Sequence, residues 1–176
     1  PTLIMMTSPV MHRLSFGSFN YSDKYSPLEE LDPVSTSYVH RVKNKDKTSF
    51  PIGDHDHIIL TYGEYVPLSF MVSENLFKDK GIKTLVVDYN TIVPRDKSLI
   101  GKLLQNYNSS SKKPKFSIIS QEDIFGFSGV ILQDLVREAQ NIGPKDITMF
   151  TKAARKGAWL EEHLINPTPK EIYYGI

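Results

Sequence analysis

Residues 58–72 read IILTYGEYVPLSFMV, and the fold expected for this chain turns on them. Ile58, Leu60, Tyr62, Val66, Leu68, Phe70 and Val72 share one parity, and Glu64 alone interrupts the set. Successive strand side chains point to opposite faces, so this period of two predicts a long half-buried strand, or a hairpin bent near Gly63 and Pro67. Pro67 has no N–H to give to a ladder, which places the segment at an edge or a bulge.

Working outward, Ser35 to Val42 alternates enough to form a strand, and the polar run Lys43 to Thr48 reads as a hairpin loop. The pattern changes after residue 72. Ser73 can cap a short helical turn that Gly81 ends. Lys83 to Tyr89 contains Leu85-Val86-Val87, a buried strand, and Leu99 to Tyr107 carries Ile100, Leu103, Leu104 and Tyr107 on one helical side. Phe116 to Ile119 is a further short strand. Ser128 to Ile142 is the clearest helix, with Ile131, Leu132, Leu135, Val136, Ala139 and Ile142 at helical spacing and Gly143-Pro144 stopping it. A last helix is expected from Ile147 to Leu164, weakened by Gly157, and Pro167 and Pro169 predict an extended tail.

Together these readings predict an α+β (mixed α/β) fold, with a β-rich first half followed by a small strand-helix-strand-helix layer. The expected organisation is an extended N-terminal arm over 1–35, one domain over 36–165 and an extended tail over 166–176. Within the domain, the β layer covers 36–72 and the α/β part 81–165. The arm mixes Ser, Pro, Tyr, Phe and Gly with little periodicity, and is expected to wrap its own domain or a neighbouring subunit.

The 176 residues carry 21 Lys and Arg against 20 Asp and Glu, so no broad basic face for nucleic acid is implied. The Lys clusters 43–47 and 112–115 are interrupted by Asp46 and Pro114 and read as solvated loops. Nucleic acid is therefore not an expected partner. There is no cysteine, which excludes disulfides, thiolate metal sites and Cys nucleophiles. No apolar run approaches the roughly 20 residues of a membrane helix. The start, Pro1-Thr-Leu-Ile-Met-Met, lacks the basic flank of a signal peptide, so cytoplasmic synthesis without membrane contact is expected.

Asp54-His55-Asp56-His57 is the densest group of potential ligands. In an extended chain His55 and His57 share a face and could bind one divalent metal ion, with a third ligand from His12, His40, His163 or Glu64. The plainer reading is a polar turn entering the next strand. Asp88 ends the apolar strand Leu85 to Val87, where carboxylates of open α/β sheets are often functional. Over Val86 to Ile92 the chain resembles the first acidic motif of the haloacid-dehalogenase-type phosphatases and of the PIN-type nucleases. That resemblance implies a metal-dependent phosphoesterase or nuclease centred on Asp88, helped by Asp123 or the two histidines. Asn90 stands where the phosphatases carry a second Asp, and Glu122, Asp123 and Asp134 only loosely supply the later acids of the nucleases.

Ser35-Thr36-Ser37, with Arg13 before and Glu64 after, resembles the central motif of mono-ADP-ribosyltransferases, in a spacing too compressed for that fold. Ser128-Gly129, with Lys112 to Lys115, could form an anion site at a helix N-terminus, although no Gly-rich phosphate loop precedes it. Phe16, Phe19, Tyr21, Tyr25 and Tyr38 near the start, with Tyr173 and Tyr174 in the tail, read as anchors at a protein interface. The expected function is thus a non-enzymatic, cofactor-free subunit of a homo- or hetero-assembly, such as a tail, neck or baseplate component of a bacteriophage-type virion.

Overall fold

The computed structural model describes residues 26–27, 38–41, 50–89, 99–107, 113–122, 126–138, 142–151, 153–154, 164–165 and 167–176. Of these, residues 26–27, 38–41, 153–154 and 164–165 are described by their backbone. The chain forms strands β1 (Ser26–Pro27), β2 (Tyr38–Arg41) and β3 (His57–Thr61), then helix α1 (Tyr65–Lys80) and strand β4 (Thr84–Asp88). Helix α2 (Leu99–Gln105), strand β5 (Lys115–Ile119), helix α3 (Phe127–Glu138) and strand β6 (Ile147–Phe150) follow. Strands β7 (Ala153–Ala154) and β8 (Leu164–Ile165) form a separate two-stranded sheet, and helix α4 (Pro169–Gly175) closes the chain.

The main sheet has the order β1-β2-β4-β3-β5-β6. β4, β3, β5 and β6 run parallel, while β1 and β2 add antiparallel at one edge. This is a mixed α/β fold. Strands buried on both faces read as continuous apolar runs, and Leu85-Val86-Val87 does so with all three residues fully buried. One face packs Ile58, Leu60, Leu85, Val87, Phe116 and Ile118 against α2 and α3. The opposite face packs Ile59, Val86 and Ile119 against α1 and Ile172 of α4. The β3-to-β4 and β4-to-β5 connections step in opposite directions along the sheet. Right-handed crossovers then put their helices on opposite faces.

The strand expected over 58–72 is corrected. The strand ends at Thr61 and residues 65–80 are helical. Positions four apart satisfy both a period of two and a helical turn, and Val66/Phe70 and Leu68/Val72 are such pairs. The buried set of α1, including Val66, Ser69, Phe70, Ser73 and Leu76, follows the helical spacing. Pro67 falls in the first turn, where a backbone N–H has no intrahelical acceptor to lose, so it opens the helix rather than marking an edge. Ser73 lies inside α1 rather than at a cap, and its hydroxyl donates to the Thr84 carbonyl at 3.3 Å. Gly81 ends the helix as expected, at φ 70°, with its N–H donating to the Phe77 carbonyl at 3.0 Å.

Two further expectations are corrected. Residues 147–150 form a strand in the main sheet instead of opening a helix. The C-terminal tail is helical from Pro169, where the Thr168 side chain accepts the Glu171 N–H and the Glu171 carboxylate accepts the Thr168 N–H. This helix docks on α1 through Tyr65 Oη to the Pro167 carbonyl (3.2 Å) and Lys80 Nζ to the Tyr173 carbonyl (3.1 Å). Within the expected N-terminal arm, Ser26–Pro27 pairs with β2 as part of the main sheet. Among the described residues, no helix is long and apolar enough to cross a membrane.

Candidate functional site

In an open parallel sheet, ligands bind outside the carboxyl ends of the strands, where successive connections depart to opposite faces. Here that point lies between β3 and β5. Tyr62, Gly63 and Glu64 lead out of β3 into α1, while Ser120 to Glu122 lead out of β5 and Gly126 to Ser128 enter α3. The strand ends are tied together: Thr61 Oγ1 donates to the Ile119 carbonyl (2.9 Å), the Tyr89 N–H to the Thr61 carbonyl (2.9 Å) and the Ser120 N–H to the Phe150 carbonyl (3.0 Å).

The loop after β5 folds onto itself. Ser120 Oγ donates to the Glu122 carbonyl at 3.1 Å, and the Glu122 carboxylate accepts the Phe127 N–H at 2.7 Å. Helix α3 begins at Phe127, so a carboxylate of the chain itself occupies its positive end. Gly126 makes room for this turn, since a Cβ there would strike the Glu122 carboxylate. Above it the Phe127 ring packs edge-to-face on Tyr62 (5.2 Å between centroids) and Tyr89 (6.0 Å). The Tyr62 hydroxyl is buried beside Glu122, Ser120 and the Ser128 backbone without a well-formed hydrogen bond to any of them. Burial first, and the neighbouring Glu122 carboxylate second, raise its ionisation above the usual tyrosine range.

The sequence-derived candidates scatter around this frame. Asp88 ends β4 in register with Thr61 on one side and Tyr38 on the other, at the carboxyl edge as expected. Asp123 and Asn90 lie outside the described residues. His55 and His57 lie at the opposite, amino end of β3 and face different partners. His55 Nδ1 is 3.0 Å from the Ile52 carbonyl, and His57 Nε2 is 2.8 Å from Ser117 Oγ. Among the described residues no three His, Asp or Glu side chains stand close enough to hold a metal ion. Glu64 flanks the start of α1 and is 6% exposed.

The expected joint anion site of Lys112 to Lys115 with Ser128 is also corrected. Lys113 and Lys115 lie at or before the amino end of β5, whereas α3 starts beyond its carboxyl end. At about 3.3 Å per residue the length of β5 separates them. Of the interface aromatics, Phe16, Phe19, Tyr21 and Tyr25 lie outside the described residues, and Tyr38 is placed by its backbone in β2. Tyr173 is engaged inside the chain, donating to Asp79 at 3.2 Å beneath the Lys80 ammonium, while Tyr174 is 70% exposed.

Sequence reasoning named Glu122 only as a loose metal ligand and took Tyr62 as one strand residue among several. A signal for Glu122 was present: an acidic side chain shortly before a strongly periodic helix is a candidate for its N-terminus. Tyr62 had none, because its meeting with Glu122 depends on the pairing of β3 with β5.

No family model matches this chain, and no curated protein matches it. Among solved structures, the chain is similar to one described as a split gene transketolase, inactive β4 tetramer, at 14% identity and a TM-score of 0.49. The match covers 76% of this chain and 43% of that one, so the chain spans less than half the length of the structure it resembles.

Proposed function

We propose that this chain is a non-enzymatic subunit of a larger protein assembly, built to pack against other subunits. The observation that carries this reading is the state of the carboxyl-edge crevice. Where sheets of this kind place a ligand, Tyr62, Tyr89 and Phe127 pack on one another and Glu122 takes the first free N–H of α3. A phosphate or carboxylate ligand would have to displace a tethered carboxylate already bonded at 2.7 Å.

Size-exclusion chromatography with light scattering on the intact chain tests this. The expected result is a mass that is a multiple of 20.0 kDa at micromolar concentration. A single species of 20.0 kDa at every concentration overturns the reading.

A further inference from the structure

The two edges of the main sheet treat their open backbone differently. β1 is two residues long, and its Pro27 has no N–H to offer. β6 is four residues, Ile147-Thr148-Met149-Phe150, with neither charge nor proline, and all four are partly exposed. Natural edge strands are usually guarded by Lys, Pro, a bulge or shortness, because an open row of N–H and C=O groups templates another strand. β6 is short, but it carries no Lys, Pro or bulge along its length.

The groups that face outward follow from the ladder. The Ser120 N–H donates to the Phe150 carbonyl at 3.0 Å, so the backbone of Phe150 faces β5. Alternation turns Thr148 the same way, and Ile147, Met149 and Thr151 the other. The Ile147 N–H is already given to the Pro144 carbonyl. Among the described residues nothing pairs with the outer edge of β6, which presents the N–H and C=O of Met149, the C=O of Ile147 and the N–H of Thr151. This set is self-complementary about a two-fold axis at Met149. Laid antiparallel on a second β6, Met149 opposes Met149 and each Thr151 N–H reaches the opposite Ile147 carbonyl. The neighbouring positions pair Thr148 with Phe150, with no like charges opposed across the seam.

We infer that β6 is the strand through which two copies of this chain join, forming one continuous sheet across an isologous two-fold interface. The inference rests on the assembly reading above and names its surface. A second copy is the occupant because it presents the same outward set in the register that satisfies both strands at once.

Met149→Pro tests it. The Met149 N–H lies outside the β5 ladder, so proline there removes an outward donor while leaving the pairing of β5 and β6 in place. One bond is lost from each copy, and the dimer dissociation constant is expected to rise about thirtyfold. Thr151→Pro removes the other outward donor and carries the test if Met149→Pro does not fold by circular dichroism. In the unmodified chain, amide exchange at Met149 and Thr151 is expected to slow as concentration rises. Unchanged dissociation constants in folded variants, or exchange at these amides that does not respond to concentration, overturn the edge pairing and leave assembly through another surface standing. An unmodified chain that stays monomeric overturns the assembly reading and this inference with it.

Discussion

The two ends of β3 are held by different means. At the amino end β3 is tied to β4 and β5 through hydrogen bonds of good length, although the Thr84 hydroxyl, in register with His57, is buried without one. Asp56 Oδ2 accepts the Lys83 N–H at 2.8 Å, the Asp56 carbonyl accepts the Lys115 N–H at 3.0 Å, and His57 Nε2 meets Ser117 Oγ at 2.8 Å. At the carboxyl end the backbone is equally well tied, and the Tyr62 hydroxyl is buried against Glu122, Ser120 and the Ser128 backbone without a well-formed hydrogen bond. The amino end therefore sets strand register and stability. The carboxyl end adds an aromatic cluster and the Glu122 carboxylate at the start of α3.

Acid sharpens the contrast most. Burial, and then the Lys115 charge, push the His57 imidazole down to about 4 from an ordinary 6.5, against a smaller opposing effect of Asp56. The unfolded chain then binds a proton that the folded chain refuses. The stability conferred by neutral His57 is present in full above pH 6.5 and is lost as pH falls from 6.5 towards 4. The depression corresponds to about 3 kcal/mol. Chemical denaturation at pH 7 and pH 4.5 should show most of that loss, and His57→Gln should flatten the dependence within this window. An unchanged slope in the variant would show that other groups drive it.

A smaller effect is expected at the carboxyl end. Glu122→Ala removes the acceptor of the Phe127 N–H and should lower stability by about 1 kcal/mol, in the range of a lost helix cap. Glu122→Gln keeps an acceptor and should recover most of it, as read from urea midpoints. The smallest effect tests the orphan hydroxyl. Tyr62→Phe deletes a buried hydroxyl that lacks a well-formed hydrogen bond, and should leave stability unchanged or raise it by up to about 1 kcal/mol. A loss of more than about 1 kcal/mol would show that Tyr62 is hydrogen-bonded in solution.

Much of this frame was legible before any coordinates. Leu85-Val86-Val87, the Phe116 to Ile119 strand and the helices around Leu103 and Leu135 follow from unbroken apolar runs or clean helical spacing, signals that depend on neighbours in sequence. The segment 62–72 misled because its even positions satisfy two periods at once. Pro67 then looked like an edge signal when it was a helix start. The tail carried its own sign, Thr168-Pro169-Lys170-Glu171, a capping box with proline at the first helical position, which two prolines in three residues obscured. Ile147 to Phe150 is too short for periodicity to separate strand from helix. The carboxyl-edge cluster was hidden for a different reason. Tyr62 and Glu122 lie far apart in the chain, and only the β3–β5 pairing joins them.

That pairing also sets a clock for synthesis. In register, His57 meets Thr84 on one side and Lys115 on the other. One of the two central strands of the sheet is thus translated well before its second neighbour. At about 5–20 residues per second, the roughly sixty residues between them take on the order of 3–12 s to emerge. Throughout that wait Ile58-Ile59-Leu60, fully buried in the finished fold, has one side without its partner. The nascent chain therefore needs its greatest protection from aggregation after β3 has left the ribosome and before β5 has followed.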